Sequence, residues 1–367
     1  MVVAALVVGA ALSHTGSTPV IKASPKVAPK SAPKAVVRAP APRPPVVVAT
    51  NPLTGLGPLP SGPVVAVKID DTGPARPSLG VEQADVIYIE EAEGGLSRMV
   101  AVFASAKPQV EAVRSVRQSN PELLAQYGRI ILVASGGDGP ELAPLDHSPL
   151  FSSINDRGGV GFHRDSSRPA PYNLVANVAQ ISAAFRATGV QNVGFTWATS
   201  DPRLALSPAA PYVNTLVGST PVSFAWDAKT GRYERTAGGS PLLAASGDPV
   251  AKPNVLIQYT QVTPDNTDVD TAGNPAMYTH TVGTGRVDLF RNGKHIRGTW
   301  TRPSLSLPTT FADAGGKPLL FAPGGTFVVL VRPGAVLTDP AAHSAPVRSF
   351  TNCWSLRWGG QPCRPQL

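Results

Sequence analysis

A chain of 367 residues with 42% hydrophobic content exceeds one ordinary core, and its length favours two domains plus a tail. Only 15% of residues are charged, while 39 prolines and 35 glycines punctuate the chain, so loops and strands should outweigh long helices. Of the net charge of +8, +6 gathers in Lys22, Lys26, Lys30, Lys34, Arg38 and Arg43, with no Asp or Glu before residue 51; the rest, at +2, lacks the basic excess interleaved with aromatics that a nucleic-acid partner requires.

Residues 2–12 form an apolar run too short to span a bilayer and of the length of a signal-peptide core. The run lacks a basic n-region, which places the true start further upstream; a short buried helix is the alternative. Residues 13–50 repeat Lys, Ala, Pro and Val in a rough four-residue rhythm, the composition of a disordered spacer that its prolines keep extended. Lysines on a spacer leaving a membrane favour anionic wall polymers or headgroups, although solubility explains them as well. The only cysteines, Cys353 and Cys363, stand in a tail at 341–367. Their spacing suits a small disulfide loop in an oxidising compartment and lacks the four-ligand pattern of structural zinc.

The first domain, residues 51–200, reads as mixed α/β. Strands are expected at 64–69, ended by Asp70 and Asp71, at 86–89 and at 97–103. Between the last two, Glu90, Glu91, Glu93, Gly94 and Gly95 suit a hairpin turn with carboxylates at its mouth, and Arg98 follows. Such carboxylates serve as metal ligands or as an acid–base pair, but a solvated hairpin end is the plainer expectation. In Val113-Arg114-Ser115-Val116-Arg117 the two arginines face apart if the chain is extended and towards one anion if it turns. Asn120 caps a short helix with Pro121 and Glu122 in its first turn and Gly128 as its stop. After a strand at 130–134, Ser135-Gly136-Gly137-Asp138-Gly139 lacks the spacing and the Lys-Ser/Thr pair of a phosphate loop, so no nucleotide cofactor is expected.

The stretch Phe162-His163-Arg164-Asp165-Ser166-Ser167-Arg168-Pro169-Ala170-Pro171-Tyr172-Asn173 looks like a site, because prolines fix the backbone around two arginines, an aspartate and a histidine. Its exit reads as the best helix of the chain, with Leu174, Val178, Ile181 and Phe185 on one apolar stripe and Gly189 as the stop. The second domain, residues 215–340, reads as mostly β. Val222, Phe224 and Trp226 alternate before a turn at 227–231, and further strands fall at 255–262, 286–290, 295–300 and 327–331, with Asn292-Gly293 as a hairpin turn. Asp265, Asp268 and Asp270 lack the glycine and glutamate of a calcium loop and read as a polar loop. The fold class expected is α+β.

Several segments resemble, in order, the YerB-like envelope lipoprotein family of Gram-positive bacteria, whose two halves are both domains of unknown function. They are Asn51-Pro52-Leu53-Thr54-Gly55, Ile69-Asp70 with Ala75-Arg76-Pro77, Ala84-Asp85 with Glu93-Gly94-Gly95 and Arg98, Val113-Arg114-Ser115 with Arg117, and 162–173. In the second half they are Phe290-Arg291-Asn292-Gly293, Gly298-Thr299-Trp300 and Pro323-Gly324-Gly325-Thr326. The likeness covers about 51–335 and implies an extracytoplasmic protein, secreted or tethered to the outer face of the cytoplasmic membrane, without an established reaction. The chain departs from the family at Asp71, where asparagine is usual, at Ile89, where glutamate is usual, and at Tyr172, where the motif has histidine. The family's lipid-attachment cysteine has no counterpart.

The residues favour a binding module in which Arg98, Arg114, Arg117, Arg164 and Arg168 converge on an anionic envelope polymer or headgroup, with Glu93, Asp70, Ser115, His163, Asp165, Tyr172 and Asn173 around them. Internal pairing of those arginines with Asp70, Asp85, Glu93 and Asp165 is the architectural alternative. A hydrolase or transferase on cell-wall substrates would use Ser115, His163 and Asp165, or a pair drawn from Glu90, Glu91 and Glu93. A protein-interaction scaffold built on the β domain is the third class. No resident metal or cofactor is expected.

Overall fold

Residues 65–70 read Val-Ala-Val-Lys-Ile-Asp and all six are buried, which marks a strand covered on both faces. The computed structural model describes residues 50–335 and 337, except 187–188, 238–239 and 271. The apolar run 2–12, all but the last residue of the spacer 13–50, and the tail 341–367 with Cys353 and Cys363 lie outside the described residues.

The N-terminal half contributes β1 (Val65–Asp70), β2 (Val86–Glu91), β3 (Ser97–Phe103), β4 (Gln109–Glu111), α1 (Ser119–Ala125), β5 (Ile131–Ala134) and α2 (Gly139–Asp146). It continues with β6 (Phe151–Ile154), β7 (Phe162–Arg164), β8 (Leu174–Asn177), α3 (Val178–Ala184) and β9 (Thr196–Trp197). The C-terminal half adds β10 (Tyr212–Val217), β11 (Thr220–Asp227), β12 (Arg232–Ala237), β13 (Ser240–Pro241), β14 (Ala251–Lys252), β15 (Asn254–Tyr259) and β16 (Val262–Val269). It ends with β17 (Pro275–Thr279), β18 (Gly283–Arg291), β19 (Lys294–Arg302), β20 (Thr310–Ala312), β21 (Leu320–Phe321) and β22 (Thr326–Val331).

Ten strands form one sheet in the order β20-β19-β18-β15-β22-β2-β3-β1-β5-β6. β22 lies parallel between β2 and β15, with Val86 and Asn254 both opposite Thr326. The sheet therefore runs unbroken across the expected boundary at 200–215, and the described residues belong to one compact unit. A mixed α/β first half is only partly present. β1, β5 and β6 are parallel with α2 crossing between the last two, but the helices are single short pieces of seven or eight residues and the half is sheet-rich.

Side chains alternate across each strand, so each face has its own core. On one face Val67, Ile69, Ile87, Met99, Phe103, Ile257 and Phe327 pack under the small sheet of β10 to β14, through Val213, Phe224 and Tyr233. On the other, Ala66, Tyr88, Val100, Leu132 and Val328 meet Leu123 and Leu124 of α1, Leu142 and Leu145 of α2, and the aromatics Phe195, Phe311 and Phe321.

The helix expected from 174 to 185 is shorter than its apolar stripe. Residues 174–177 pair as β8 between β4 and β7, so their backbone groups serve the ladder, and Asn177 then caps α3 by accepting the Gln180 N–H at 3.0 Å. Phe185 sits just beyond, in extended conformation. The first helix starts two residues earlier than expected, with Gln118 at its cap, and Asn120 lies inside it, where its Oδ1 accepts the Arg117 N–H at 2.9 Å. The hairpin turn at Asn292-Gly293 is as expected, with both residues at positive φ.

The small sheet is pinned to the large one by charge. Arg235 of β12, fully buried, sends Nη1 and Nη2 to the Asp71 carboxylate at 2.7 and 2.6 Å, and the Ser97 hydroxyl donates to the same group. Burial pushes the Asp71 carboxyl up, yet the Arg235 charge and the hydrogen bonds outweigh it and hold the group below its ordinary value. Arg235→Met leaves this carboxylate stranded, so chemical denaturation should show a loss of about 3–5 kcal/mol, and adding Asp71→Leu should restore much of it. The pair contributes stability above the ordinary Asp value of 3.8 that is lost as pH falls through the lower folded value; Asp71→Asn should give a shallower acid limb in a pH–stability curve.

Candidate functional site

β1 and β2 end, and β3 begins, at one edge of the sheet. The register sets Asp70 and Glu90 on either side of Arg98, so side chains from three adjacent strands form one row on the face of Tyr88 and Val100. Lys68, one step further in, hydrogen-bonds Glu90, which also accepts from the Asn120 Nδ2 at 2.7 Å. Burial lowers the Lys68 pKa, and the Glu90 charge opposes that shift without cancelling it. Arg98, 6% exposed, has Nη2 at 3.7 Å from Asp70 and donates from Nη1 to its neighbour's carbonyl, that of Ser97.

The arginine motif is wedged in extended form between β1 and β5. Asp70 N–H donates to Ala112 O at 2.9 Å and Arg114 N–H to Lys68 O at 3.0 Å, while Ser135 N–H donates to Arg114 O and Val116 N–H to Gly136 O. Arg114 and Arg117 consequently serve different partners. Arg114 Nε lies 3.3 Å from Asp70 Oδ2, and its guanidinium stands 5.9 Å from the centre of the Tyr172 ring. Its Nη1 is buried without a hydrogen-bond partner, while a quarter of the side chain as a whole is exposed. Arg117 binds Glu93 through Nε and reaches Glu141 Oε1 at 2.7 Å through Nη1.

Arg117 thus sits in a knot of carboxylates. Oxygens of Glu93, Glu141 and Asp268 lie within 4.8 Å of one another, and the guanidinium supplies their counter-charge. Burial raises Glu93, but the Arg117 hydrogen bond and charge hold it low. Burial pushes Glu141 up to about 8; Arg117 opposes this and a hydrogen bond with Asp268 adds to it. Asp265 and Asp268 lie on β16 rather than in the polar loop expected; Asp265 accepts from Thr267 on the same strand and Asp270 from Asn274 in the turn to β17, so the three aspartates do not converge.

The 162–173 stretch divides. Arg168 is clamped, with Nε 3.2 Å from Glu111 and Nη1 and Nη2 donating to the carbonyls of Ala75 and Pro77. Arg164 stays exposed, donating to Asn173 Oδ1 at 2.8 Å, and among the described residues no carboxylate pairs with it. Val113 N–H donates to Leu174 O, which sets the start of β8, and with it Tyr172 and Asn173, beside the Arg114 wedge. The five arginines therefore do not converge: Arg98 and Arg114 share Asp70, Arg117 is held by Glu93 and Glu141, Arg168 faces Glu111, and Arg164 is free of acids.

Among the described residues no hydrogen bond joins Ser115 to His163, which is exposed on β7, and Asp165 Oδ1 accepts from its own loop at Ser167 N–H. The hairpin carboxylates expected in solvent are buried instead, Glu90 at 2%, Glu91 at 7% and Glu93 at 5% exposed. Each is matched to a cation, Glu90 to Lys68, Glu93 to Arg117 and Glu91 to Arg332 at 2.8 and 2.9 Å, and Glu90 and Glu91 point to opposite faces and do not pair with each other. Sequence reasoning passed over Lys68, Glu141 and Arg235 and took Asn120 only for a helix cap, whereas its side chain donates to Glu90. Lys68 carried a signal, since a lysine inside a run of strand apolars needs a buried acid.

The chain matches the N-terminal domain of a protein of unknown function (DUF3048) over residues 53–191 and the corresponding C-terminal domain over 212–328. It is 26% identical over 283 residues to the "Putative lipoprotein YerB" of Bacillus subtilis (strain 168), spanning 73% of this chain and 80% of that protein. The fold is similar to the crystal structure of the YerB protein from Bacillus subtilis, with a TM-score of 0.67 at 23% identity over 79% of this chain and 100% of the other. With both halves matched in order, the chain belongs to the YerB-like, two-part DUF3048 family, whose function is unknown.

Proposed function

We propose that this is an extracytoplasmic cell-envelope protein that holds a phosphate-bearing envelope polymer or headgroup against Arg114, Arg164 and Tyr172. The carrying observation is the imbalance at Asp70, where two guanidiniums, Arg98 and Arg114, share one buried carboxylate while a quarter of the Arg114 side chain is exposed. A partly exposed planar guanidinium suits a phosphate, and Tyr172 offers a ring beside it. Arg164, on the neighbouring strand without an acidic partner, extends the positive surface. The name of the Bacillus relative and the signal-like run 2–12 support the envelope location. Among the described residues no helix is long and apolar enough to cross a membrane.

Titration of the full chain with a poly(glycerol phosphate) polymer at low salt tests this reading. Arg114→Gln and Arg164→Gln should each weaken binding about tenfold, whereas Arg168→Gln, already committed to Glu111, should match wild type. Equal affinity in all four proteins would overturn it; the lysine-rich spacer contributes equally to each.

Arg117 belongs to the architecture, and its surroundings set a pH dependence. Glu141 is protonated in the folded protein and ionised in the unfolded chain between its ordinary 4.5 and about 8, so folding takes up a proton there. Thermal unfolding should show stability falling as pH rises through that window, and Glu141→Gln should flatten the decline.

A further inference from the structure

Far along the chain from the arginine motif, the helical turn Pro202–Ala205 and the residues after it present an apolar side chain to water in a rigid frame. Asp201 accepts the Arg203 N–H at 3.0 Å and grips its guanidinium, Asp313 takes Arg203 Nη1 at 2.6 Å, and Leu206 N–H donates to Arg203 O at 3.1 Å. The turn is then stitched to β19, with His295 N–H donating to Pro208 O and Lys294 Nζ to Ser207 O. Leu206, held at its end, is 95% exposed, more than any other large hydrophobic side chain among the described residues. So well-bonded a turn cannot fold Leu206 back onto the protein.

Between this turn and β19 lies an open groove of about 560 Å³, with Leu206, Pro208 and Ile296 as apolar lining and Arg203, His295 and Arg297 as cationic lining. The charges are layered. The Asp288 and Asp201 carboxylates are fully buried and Asp313 is 17% exposed, while Arg297 is 80% exposed and 3.9 Å from Asp288 at its nearest. Asp288 also serves His295 at 2.8 Å and Arg286 at 2.7 Å, so one buried carboxylate answers three basic side chains. An approaching anion meets the cations first. A small soluble anion would have no use for Leu206, whereas a surface carrying phosphates above hydrocarbon uses both.

We propose that this groove is a docking site for an anionic lipid bilayer, Leu206 entering the headgroup layer while Arg297 and His295 meet lipid phosphates. It is independent of the Arg114 surface. Hydrogen exchange of the full chain, with vesicles of phosphatidylcholine alone or mixed with phosphatidylglycerol, reads the amides of 204–208 and 294–297 directly, whatever the N-terminal segment does. Protection is expected with the anionic vesicles only. The lipid concentration needed should rise about tenfold in Leu206→Ser and about fivefold in Arg297→Gln; both residues are exposed and neither substitution should disturb folding. No local protection, or protection unchanged in both variants, would overturn the proposal. Equal protection by dissolved glycerol phosphate would make this a small-anion site, and protection that grows with protein concentration without lipid would make it a contact between copies; either result also overturns bilayer docking.

Discussion

β1, β2 and β3 are covered on both faces, so their charged ends cannot turn to water and must be neutralised by one another. The register then decides which charges meet. On one face it lines up Asp70, Arg98 and Glu90, with Lys68 behind; on the other it leaves Asp71, Glu91 and Ser97, which Arg235 and Arg332 reach from the C-terminal half. Both cores and the candidate site depend on that arrangement. Slipping any one strand by a single residue would exchange the two faces and leave several buried ions without partners.

Much of the fold was legible because the signals were local. The hairpin between β2 and β3, the strand at β5, the β11–β12 hairpin and the Asn292-Gly293 turn follow from alternation and turn residues. The 174–185 segment misled because Leu174 and Val178 suit a helical stripe and a strand that feeds a helix equally well; pairing with β7 and with β4, which is distant in sequence, settled it. The arginine motifs were visible, but their partners were not. Arg117 meets Glu141 and Asp268 only through tertiary contacts, and the burial of Glu90, Glu91 and Glu93 depends on helix α1 and on strands contributed by the other half of the chain.

The departures from the family pattern fit the structure. Asp71, where asparagine is usual, has a matching charge in fully buried Arg235, so the extra carboxylate is neutralised by the second half of the chain. Ile89, where glutamate is usual, packs in a core with Met99 and Val329. Tyr172, where the motif has histidine, places its ring beside the Arg114 guanidinium.

The position of β22 has a temporal consequence. It is the last described strand of the chain, yet it sits in the middle of the large sheet, and the ion pair between Glu91 and Arg332 closes over 241 residues. Neither half can complete its hydrogen-bond ladder before that strand arrives, so the sheet closes only when almost the whole of it has been synthesised. Until then β2, paired with β3, and β15, paired with β18, each keep one open edge, the kind of edge that recruits foreign strands.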